Sequence, residues 1–216
     1  MSKEVFENLT LVASILLFLP LTISILKFKT LGVAQKKLAF LIWVTVIVEV
    51  ISWMLWHQNI NNLPMYHFYT VIQFLLIINI YKEELSILFP KAFFIVLGVV
   101  FTIFAITNTL FFQDLNTFNS NATTGLGLLT IFLALSYFYA LLKEVKYSAL
   151  ENNAMFWISS GFLIYFSSNL ILFFINNSIF KEPNKVSYLV WGLHAIVNIV
   201  LTIFYTIALW VKLKRQ

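Results

Sequence analysis

The sequence contains no cysteine and very little charge. Without cysteine the chain cannot form disulfides, thiolate metal sites or a cysteine nucleophile. Only 11% of its 216 residues are charged, against about 25% in an average soluble domain, and 61% are hydrophobic. The 23 Phe, nine Tyr and six Trp suit lipid-facing and interfacial surfaces. This composition predicts an integral membrane protein with the lipid bilayer as its surroundings.

Apolar segments long enough to cross a bilayer, about 17–25 residues, occur seven times. They lie at residues 5–26, 39–58, 65–81, 92–111, 122–142, 154–176 and 189–210. The third is short and starts abruptly after Pro64. The connections are also short, so no stretch between spans can fold as a separate soluble domain. The sequence therefore predicts an all-α fold, a single transmembrane domain over residues 1–216 built as a bundle of seven helices.

The basic residues predict the orientation of this bundle, because cytoplasmic loops of membrane proteins are enriched in Lys and Arg. One side carries Lys27, Lys29, Lys36, Lys37, Lys82, Lys91, Lys143, Lys146, Lys212, Lys214 and Arg215. The other side carries Lys3, Lys181 and Lys185. We therefore expect the N-terminus outside and the C-terminus in the cytoplasm. Membrane insertion explains the net charge of +5, and we expect no nucleic-acid partner.

The N-terminus and the composition indicate where the chain resides. The opening MSKEVFENLT has neither a basic region nor a small-residue cleavage site, so we expect the first apolar segment to be retained. A composition heavy in Lys, Ile, Asn and Phe is typical of a low-GC bacterium. We therefore expect the protein in a bacterial inner membrane.

Polar and aromatic side chains gather between the midplane and the outer surface on several predicted helices, whereas the cytoplasmic half is mostly aliphatic apart from Asn79 and Tyr205. Polar groups inside a membrane usually face the bundle interior. This pattern predicts an outward-facing, aromatic-lined ligand pocket. Its candidate residues are Glu49, Trp53, Trp56, His57, Tyr66, His67, Tyr69, Gln73, Tyr165, Asn169, Trp191, His194 and Asn198. The alternative is that the same side chains join helices through interhelical hydrogen bonds.

Glu49, within VEVISWMLWH, is placed near the midplane and at the floor of this pocket. A charged group at the bilayer centre costs about 2.5–3.5 kcal/mol on insertion scales, and no Lys or Arg lies inside a predicted span. We therefore expect a neutral or hydrogen-bonded carboxyl. Its partner would be one of His57, His67, His194, Gln73, Asn198 or a tyrosine. It would serve as ligand contact, proton carrier or buried structural acid.

The three histidines, His57, His67 and His194, all map to the outer half. Three His ligands with one open position form a catalytic zinc arrangement, so zinc is the cofactor these residues suggest, although the sequence requires none. A hydrogen-bonded structural histidine is the simpler explanation for each. Motifs such as HExxH, GxSxG and the P-loop are absent, which makes an enzyme the less favoured class.

Ser52 and His57 in the second span, with His194 and Asn198 in the seventh, are similar to the layout of the alkaline ceramidase and progestin/adipoQ receptor superfamily. That family carries a Ser and a His on the second helix, an Asp on the third and an HxxxH pair on the seventh. Here Asn198 replaces the second histidine, the third span has no Asp, and the Ser–His spacing is one residue longer. The resemblance implies zinc-dependent hydrolysis of a lipid or amide.

A transporter is a further alternative. The seven spans can be divided into three, one and three, as in small sugar transporters with parallel repeats. FLIW leads the second span and MFW the sixth, and NINN and INN close them. The proline–glutamine type motif of those transporters is absent.

The segments FWISSGFLIYFSSNLILFFINN and HAIVNIVLTIFYTIALW look like uncharacterised small seven-helix membrane proteins of Bacteroidota, which are often encoded beside sensor histidine kinases. This resemblance implies a receptor or sensor subunit that signals to a cytoplasmic signalling protein. An outer pocket above a closed apolar half fits a ligand-biased bundle. We therefore favour the receptor, with homo-oligomerisation left open.

Overall fold

The computed structural model describes residues 1–144, 150–179 and 185–211. Its α-helices are α1 (Lys3–Leu16), α2 (Phe18–Leu26), α3 (Val33–His57), α4 (Leu63–Glu84), α5 (Lys91–Phe111), α6 (Ser120–Glu144), α7 (Ala154–Ile179) and α8 (Lys185–Trp210). Seven segments are long and apolar enough to cross a membrane, with α1 and α2 together forming the first. The all-α prediction is confirmed, and seven such segments suit an integral membrane protein. Of the residues used for orientation, Lys146, Lys181, Lys212, Lys214 and Arg215 lie outside the described ranges.

The first span is broken at Leu17, between α1 and α2. Pro20 lies in the first turn of α2, where it lacks the N–H that would bond to the Leu16 carbonyl. Proline is a common cause of such kinks in long helices. The sequence analysis took residues 5–26 as one span, and the structure divides that span into two helices.

α3 is longer than predicted at its first end, since it begins at Val33 instead of residue 39. Its other end is closed by Asn59, which adopts a left-handed conformation with φ 56°. The Ile60 N–H donates to the Leu55 carbonyl (2.9 Å), a bond across the helix end of the kind that accompanies a left-handed residue. Because of the earlier start, Glu49 lies four residues, about 6 Å, from the midpoint of α3 on the side of its C-terminus.

α4 has 22 residues and extends beyond residue 81, where the sequence analysis ended the third span. Pro64 is accommodated in the first turn, where a missing N–H costs no helical hydrogen bond. At the other end, Lys37 of α3 pairs with Glu83 and donates to the Asn79 carbonyl (2.6 Å). These contacts support the part of α4 that lies beyond its apolar stretch.

Consecutive helices from α3 to α8 are neighbours, α2 lies against both α3 and α8, and α4 also packs against α6. α1 packs on α8, with Phe6 and Tyr188 ring centroids 5.6 Å apart. Following the orientation expected from the sequence, we call the end with Met1, residues 58–62 and 112–119 and the start of α8 the outer end. The opposite end, with Lys27, Lys29 and Lys36, is the basic end.

The most deeply buried side chains fill the half of the bundle toward the basic end. Rings add to this packing, since the Phe74 and Phe101 centroids are 4.2 Å apart. The polar side chains of the described helices gather instead in the outer half, which is where the candidate site lies. We call the half toward the basic end the inner half. Its side chains that are at most 2% exposed include Leu38, Ile42, Phe74, Ile77, Ile80, Tyr81, Phe94 and Phe162.

Candidate ligand site

Two tyrosines of α4 are held by hydroxyl groups of α3. Tyr66 donates to the Ser52 hydroxyl (3.0 Å). Tyr69 donates to the Thr45 hydroxyl (2.8 Å), since the Thr45 proton is engaged by a backbone carbonyl of its own helix. The two phenol rings are thereby fixed along the α3–α4 interface, on either side of the Glu49 position.

Glu49 lies one helical turn from Thr45 and about one turn from Ser52, on the same side of α3. Its carboxyl lies near Tyr66, Tyr69 and Tyr165, the last of these on α7. The side chain is half-buried, and within the described part of the chain no group hydrogen-bonds to the carboxyl. We call Glu49, Tyr66, Tyr69 and Tyr165 the glutamate–tyrosine cluster.

This cluster differs from the polar contacts around it, because its carboxyl has no hydrogen-bond partner among the described residues. Buried polar groups are nearly always bonded to protein or to ordered water. A carboxyl in that condition is available to a ligand, to water or to a proton. The cluster thus brings together four residues that the sequence analysis assigned to the pocket.

His194 is fully occupied by two asparagines. Its Nδ1–H donates to the Asn169 side-chain oxygen (2.9 Å), and its Nε2 accepts from the Asn198 amide (2.9 Å). The Asn169 amide in turn donates to the Tyr165 carbonyl (2.8 Å). These contacts define a neutral imidazole that joins α8 to α7, and they match the structural alternative for His194, Asn169 and Asn198.

Both ring nitrogens of His67, near the outer end of α4, also have partners. Its Nε2–H donates to the Thr117 carbonyl (3.1 Å), and its Nδ1 lies 2.9 Å from the Thr109 hydroxyl. Thr117 belongs to the connection between α5 and α6, residues 112–119, which we call the outer loop. His67 therefore anchors this loop to α4 and has no ring nitrogen left for a ligand.

Further hydrogen bonds tie the outer loop to the bundle. The Asn119 amide donates to the Thr70 hydroxyl of α4 (3.1 Å), and the Asn177 amide of α7 donates to the Phe118 carbonyl (2.6 Å). The Phe118 ring also lies 5.8 Å from the half-buried Trp191 ring of α8. The loop thus lies across the outer ends of three helices, above the region where the sequence predicted an open pocket.

The sequence analysis missed the role of the outer loop. Its segment FQDLNTFN is rich in amide and hydroxyl side chains, which was a signal of hydrogen bonding to neighbouring helices. A loop held in this way covers the candidate site at the outer end of the bundle. Access to the glutamate–tyrosine cluster from the outer end therefore passes beside this loop.

Trp53, Trp56 and His57 were predicted to line the approach to Glu49, but they lie at the surface. Trp53 is 59% and Trp56 66% exposed. The exposed His57 stacks on Trp53, with ring centroids 4.0 Å apart, and its Nδ1 lies 3.0 Å from the Trp53 carbonyl. Rings exposed to this extent at a helix end are typical of the interfacial aromatic belt.

The three histidines do not form one metal centre. His67 and His194 use both ring nitrogens in separate networks, and His57 is at the surface. Among the described residues, no group of three or more His, Asp or Glu side chains is placed to hold one ion. The zinc arrangement considered from the sequence therefore has no counterpart in the geometry of these residues.

Two cavities lie away from the cluster. A groove of about 400 Å³ runs between α7 and α8 in the outer half, lined mainly by aliphatic side chains with Asn169 and His194 at its polar edge. A smaller cavity of about 190 Å³ at the basic end is lined in part by Glu83 and Tyr137. Gln73, the remaining predicted site residue, is half-buried on α4.

Tyr205, which the sequence analysis named as an exception in the cytoplasmic half and left out of the pocket, also lies near the cluster. It belongs to α8, and it lies near Tyr69, Tyr165 and Tyr81. The signal for this residue was its spacing, because Tyr205 follows Asn198 by seven residues and His194 by eleven. Those intervals are about two and three helical turns, so the three side chains share one face of α8.

No protein-family model, curated protein or solved structure matches this chain.

Proposed function

We propose that the protein is a seven-helix membrane receptor or sensor subunit. In this proposal a ligand occupies the outer half of the bundle, and the basic end signals to a cytoplasmic partner. The observation that carries the proposal is the half-buried Glu49 carboxyl, which has no hydrogen-bond partner within the described chain and lies near three tyrosines from two other helices. A ligand with a hydrogen-bond donor would complete this site.

The packing below the cluster favours signalling over solute passage. Ile42, Phe74 and Ile77 are completely buried in the half toward the basic end. A ligand that enters the outer half would meet this tightly packed layer, so its binding energy can bias helix positions without a path for the ligand itself. A packed layer of this kind responds by discrete shifts more readily than by gradual deformation.

The basic end offers the contacts through which helix movement would be passed on. Gln35 donates to the Ala208 carbonyl (2.7 Å) and the Val211 carbonyl (3.0 Å), which ties α3 to the end of α8. Lys27 lies over the Trp210 ring, 3.4 Å from its centroid. A shift of α3 at Glu49 would therefore move the end of α8, which directly precedes the basic C-terminal residues in the sequence.

The test places a photo-crosslinking amino acid at Lys29 or Ser86, both exposed at the basic end, in the native host. We expect a crosslink to a protein with kinase or response-regulator domains. The yield should change by about threefold or more when Tyr165→Phe or Glu49→Gln alters the cluster, a change that corresponds to about 0.7 kcal/mol of coupling.

Tyr139→Phe is the matched control, because Tyr139 is 59% exposed and remote from the cluster. Its crosslinking yield should equal that of the unaltered protein. The proposal is abandoned if no soluble signalling domain is crosslinked and the purified protein, reconstituted in vesicles, moves a solute. That pair of results would establish the transporter alternative.

A further inference from the structure

The groove between α7 and α8 opens on the surface of two helices that are long and apolar enough to cross a membrane. Its volume of about 400 Å³ is in the range of pockets that hold small ligands. Two of its lining side chains, Ile171 and Leu193, are 70% and 53% exposed. In a bilayer these side chains face hydrocarbon, so a molecule dissolved in the bilayer can reach the groove from the side.

The polar groups of the groove lie at its inner end. Asn169 is about 4 Å from the midpoint of α7, and His194 is about 5 Å from the midpoint of α8, both on the side of the outer end. From Ser168 to Ile175 the lining continues for about 10 Å toward the outer end. A phospholipid keeps its headgroup at the bilayer surface, so it would bring only hydrocarbon to the polar inner end.

Two hydrogen-bonding groups at the inner end remain open to a ligand. The Asn169 amide donates one N–H to the Tyr165 carbonyl (2.8 Å), which leaves its second N–H without a partner among the described residues. The Ser168 hydroxyl has no hydrogen bond within the described ranges, whereas the neighbouring Ser167 donates to the Leu163 carbonyl (2.6 Å). A ligand oxygen at this place could therefore accept from the amide and pair with the Ser168 hydroxyl.

The charge around the groove favours a neutral ligand. Its described lining residues include no Lys, Arg, Asp or Glu. His194 has one ring nitrogen bonded to Asn169 and the other to Asn198, each at 2.9 Å, as a neutral imidazole. A charged group near the bilayer centre is costly without a partner of opposite charge. An ammonium, phosphate or carboxylate group would therefore bind poorly at the inner end.

We propose that the α7–α8 groove binds a neutral, lipid-soluble molecule with a hydroxyl or carbonyl oxygen at one end of an apolar chain. The oxygen lies at the inner end, between the Asn169 amide and the Ser168 hydroxyl. The apolar chain lies along Ile171 and Ile175 toward the outer end, and the molecule enters sideways from the bilayer. The groove is not part of the glutamate–tyrosine cluster, and its test needs no signalling partner.

The experiment reconstitutes the full chain in vesicles of phosphatidylethanolamine and phosphatidylglycerol. The probe is a decanol that carries a photoreactive diazirine in its chain. We expect the adducts, located by mass spectrometry, to concentrate in residues 168–175 and 190–197. Decanol should compete with the probe about tenfold better than decane at equal concentration in the bilayer, because the alkane leaves the Asn169 and Ser168 groups unpaired.

Two variants with matched controls test the groove and its polar end separately. Leu193→Trp places a larger ring over the groove and should reduce labelling there by about fivefold or more. Ile95→Trp is its control, since Ile95 is 59% exposed on α5 and does not line the groove. Ser168→Ala should weaken competition by decanol about three- to tenfold, the usual worth of one hydrogen bond. Ser167→Ala, which alters a hydroxyl bonded within its own helix, should leave competition unchanged.

Thermal unfolding is measured for every variant, and Ser168→Ala should fold normally because it removes no hydrogen bond found in the described chain. Adducts spread equally over the exposed faces of α5 and α7, or equal competition by decanol and decane, would overturn the proposal. Equal competition by decanol in Ser168→Ala and in the unaltered protein would also overturn it. None of these outcomes affects the receptor proposal, which is tested by crosslinking.

Discussion

At the scale of single residues, two glycines face neighbouring helices at different separations. A Cβ at Gly161 of α7 would lie 2.8 Å from the Phe204 Cβ of α8. The Phe204 Cβ is attached directly to the backbone and cannot rotate away. At Gly127 of α6 the nearest atoms would be the Leu170 Cδ1 (3.4 Å) and the Phe166 Cδ1 (3.5 Å), which is ordinary contact.

We predict that Gly161→Ala destabilises the protein, because α7 and α8 must separate to admit the methyl group. Overpacking of this type costs about 1–3 kcal/mol. Gly127→Ala, the matched control, should be neutral or gain up to about 1 kcal/mol from its higher helix propensity. The measurement is the thermal unfolding midpoint in detergent. Equal midpoints for the two variants would show that the α7–α8 contact is looser than the structure indicates.

The individual site residues were predictable to different degrees for a physical reason. The four residues of the glutamate–tyrosine cluster were selected because polar groups in a membrane helix tend to face the interior, and the structure brings these four together. Trp53 and Trp56 share the Glu49 side of α3, but helical spacing gives only azimuth. Whether a neighbouring helix buries a side chain on that side of α3 depends on how the helices pack at that depth. The spacing of residues in the sequence carries no information about this packing.

At the scale of elements, Gln35 joins the start of α3 to the end of α8, where the proposed signalling route reaches the basic end. Gln35 in the first turn of α3 is 2% exposed and uses its whole amide. Its oxygen accepts from the Gly32 N–H (2.9 Å), and its nitrogen donates to the carbonyls of Ala208 and Val211. The last carbonyls of a helix have no partner within that helix, so these contacts satisfy groups that would otherwise be open.

We predict that Gln35→Ala lowers the free energy of unfolding by about 1–3 kcal/mol, the usual cost of leaving buried polar groups unpaired. Amide hydrogen exchange in the last turn of α8 should also accelerate. Gln58→Ala is the control, since Gln58 is exposed at the end of α3. Unchanged exchange in α8 would mean that the end of this helix is held by other contacts.

Among the elements, helix existence was predicted well and helix detail less well. The seven apolar stretches are long enough that hydropathy alone locates them. The break at Leu17 and the continuation of α4 to Glu84 depend on local backbone chemistry and on the pair of Lys37 with Glu83. The outer loop was missed because its hydrogen bonds, such as that from His67, join residues that are distant in the sequence.

At the scale of the whole molecule, charge and polarity are distributed unequally between the two ends. The outer end is held by neutral hydrogen bonds, such as that from Asn61 to Asn116 (3.2 Å). The basic end is held by lysines, through the pair of Lys37 with Glu83 and the position of Lys27 over the Trp210 ring. An excess of lysine at one end is the arrangement that membrane insertion retains in the cytoplasm.

The final prediction concerns this sidedness, and the absence of cysteine makes it directly testable. Single substitutions Ser2→Cys and Leu115→Cys place a thiol at the outer end, and Thr30→Cys and Ser86→Cys place one at the basic end; all four positions are exposed. In intact spheroplasts a membrane-impermeant maleimide should label only the first two, and the second two should label after permeabilisation. The unaltered chain, which has no thiol, gives the background. Labelling of Thr30→Cys or Ser86→Cys in intact cells would show that the orientation is opposite to the expected one. The glutamate–tyrosine cluster would then lie in the cytoplasmic half, and the receptor proposal would lose its basis.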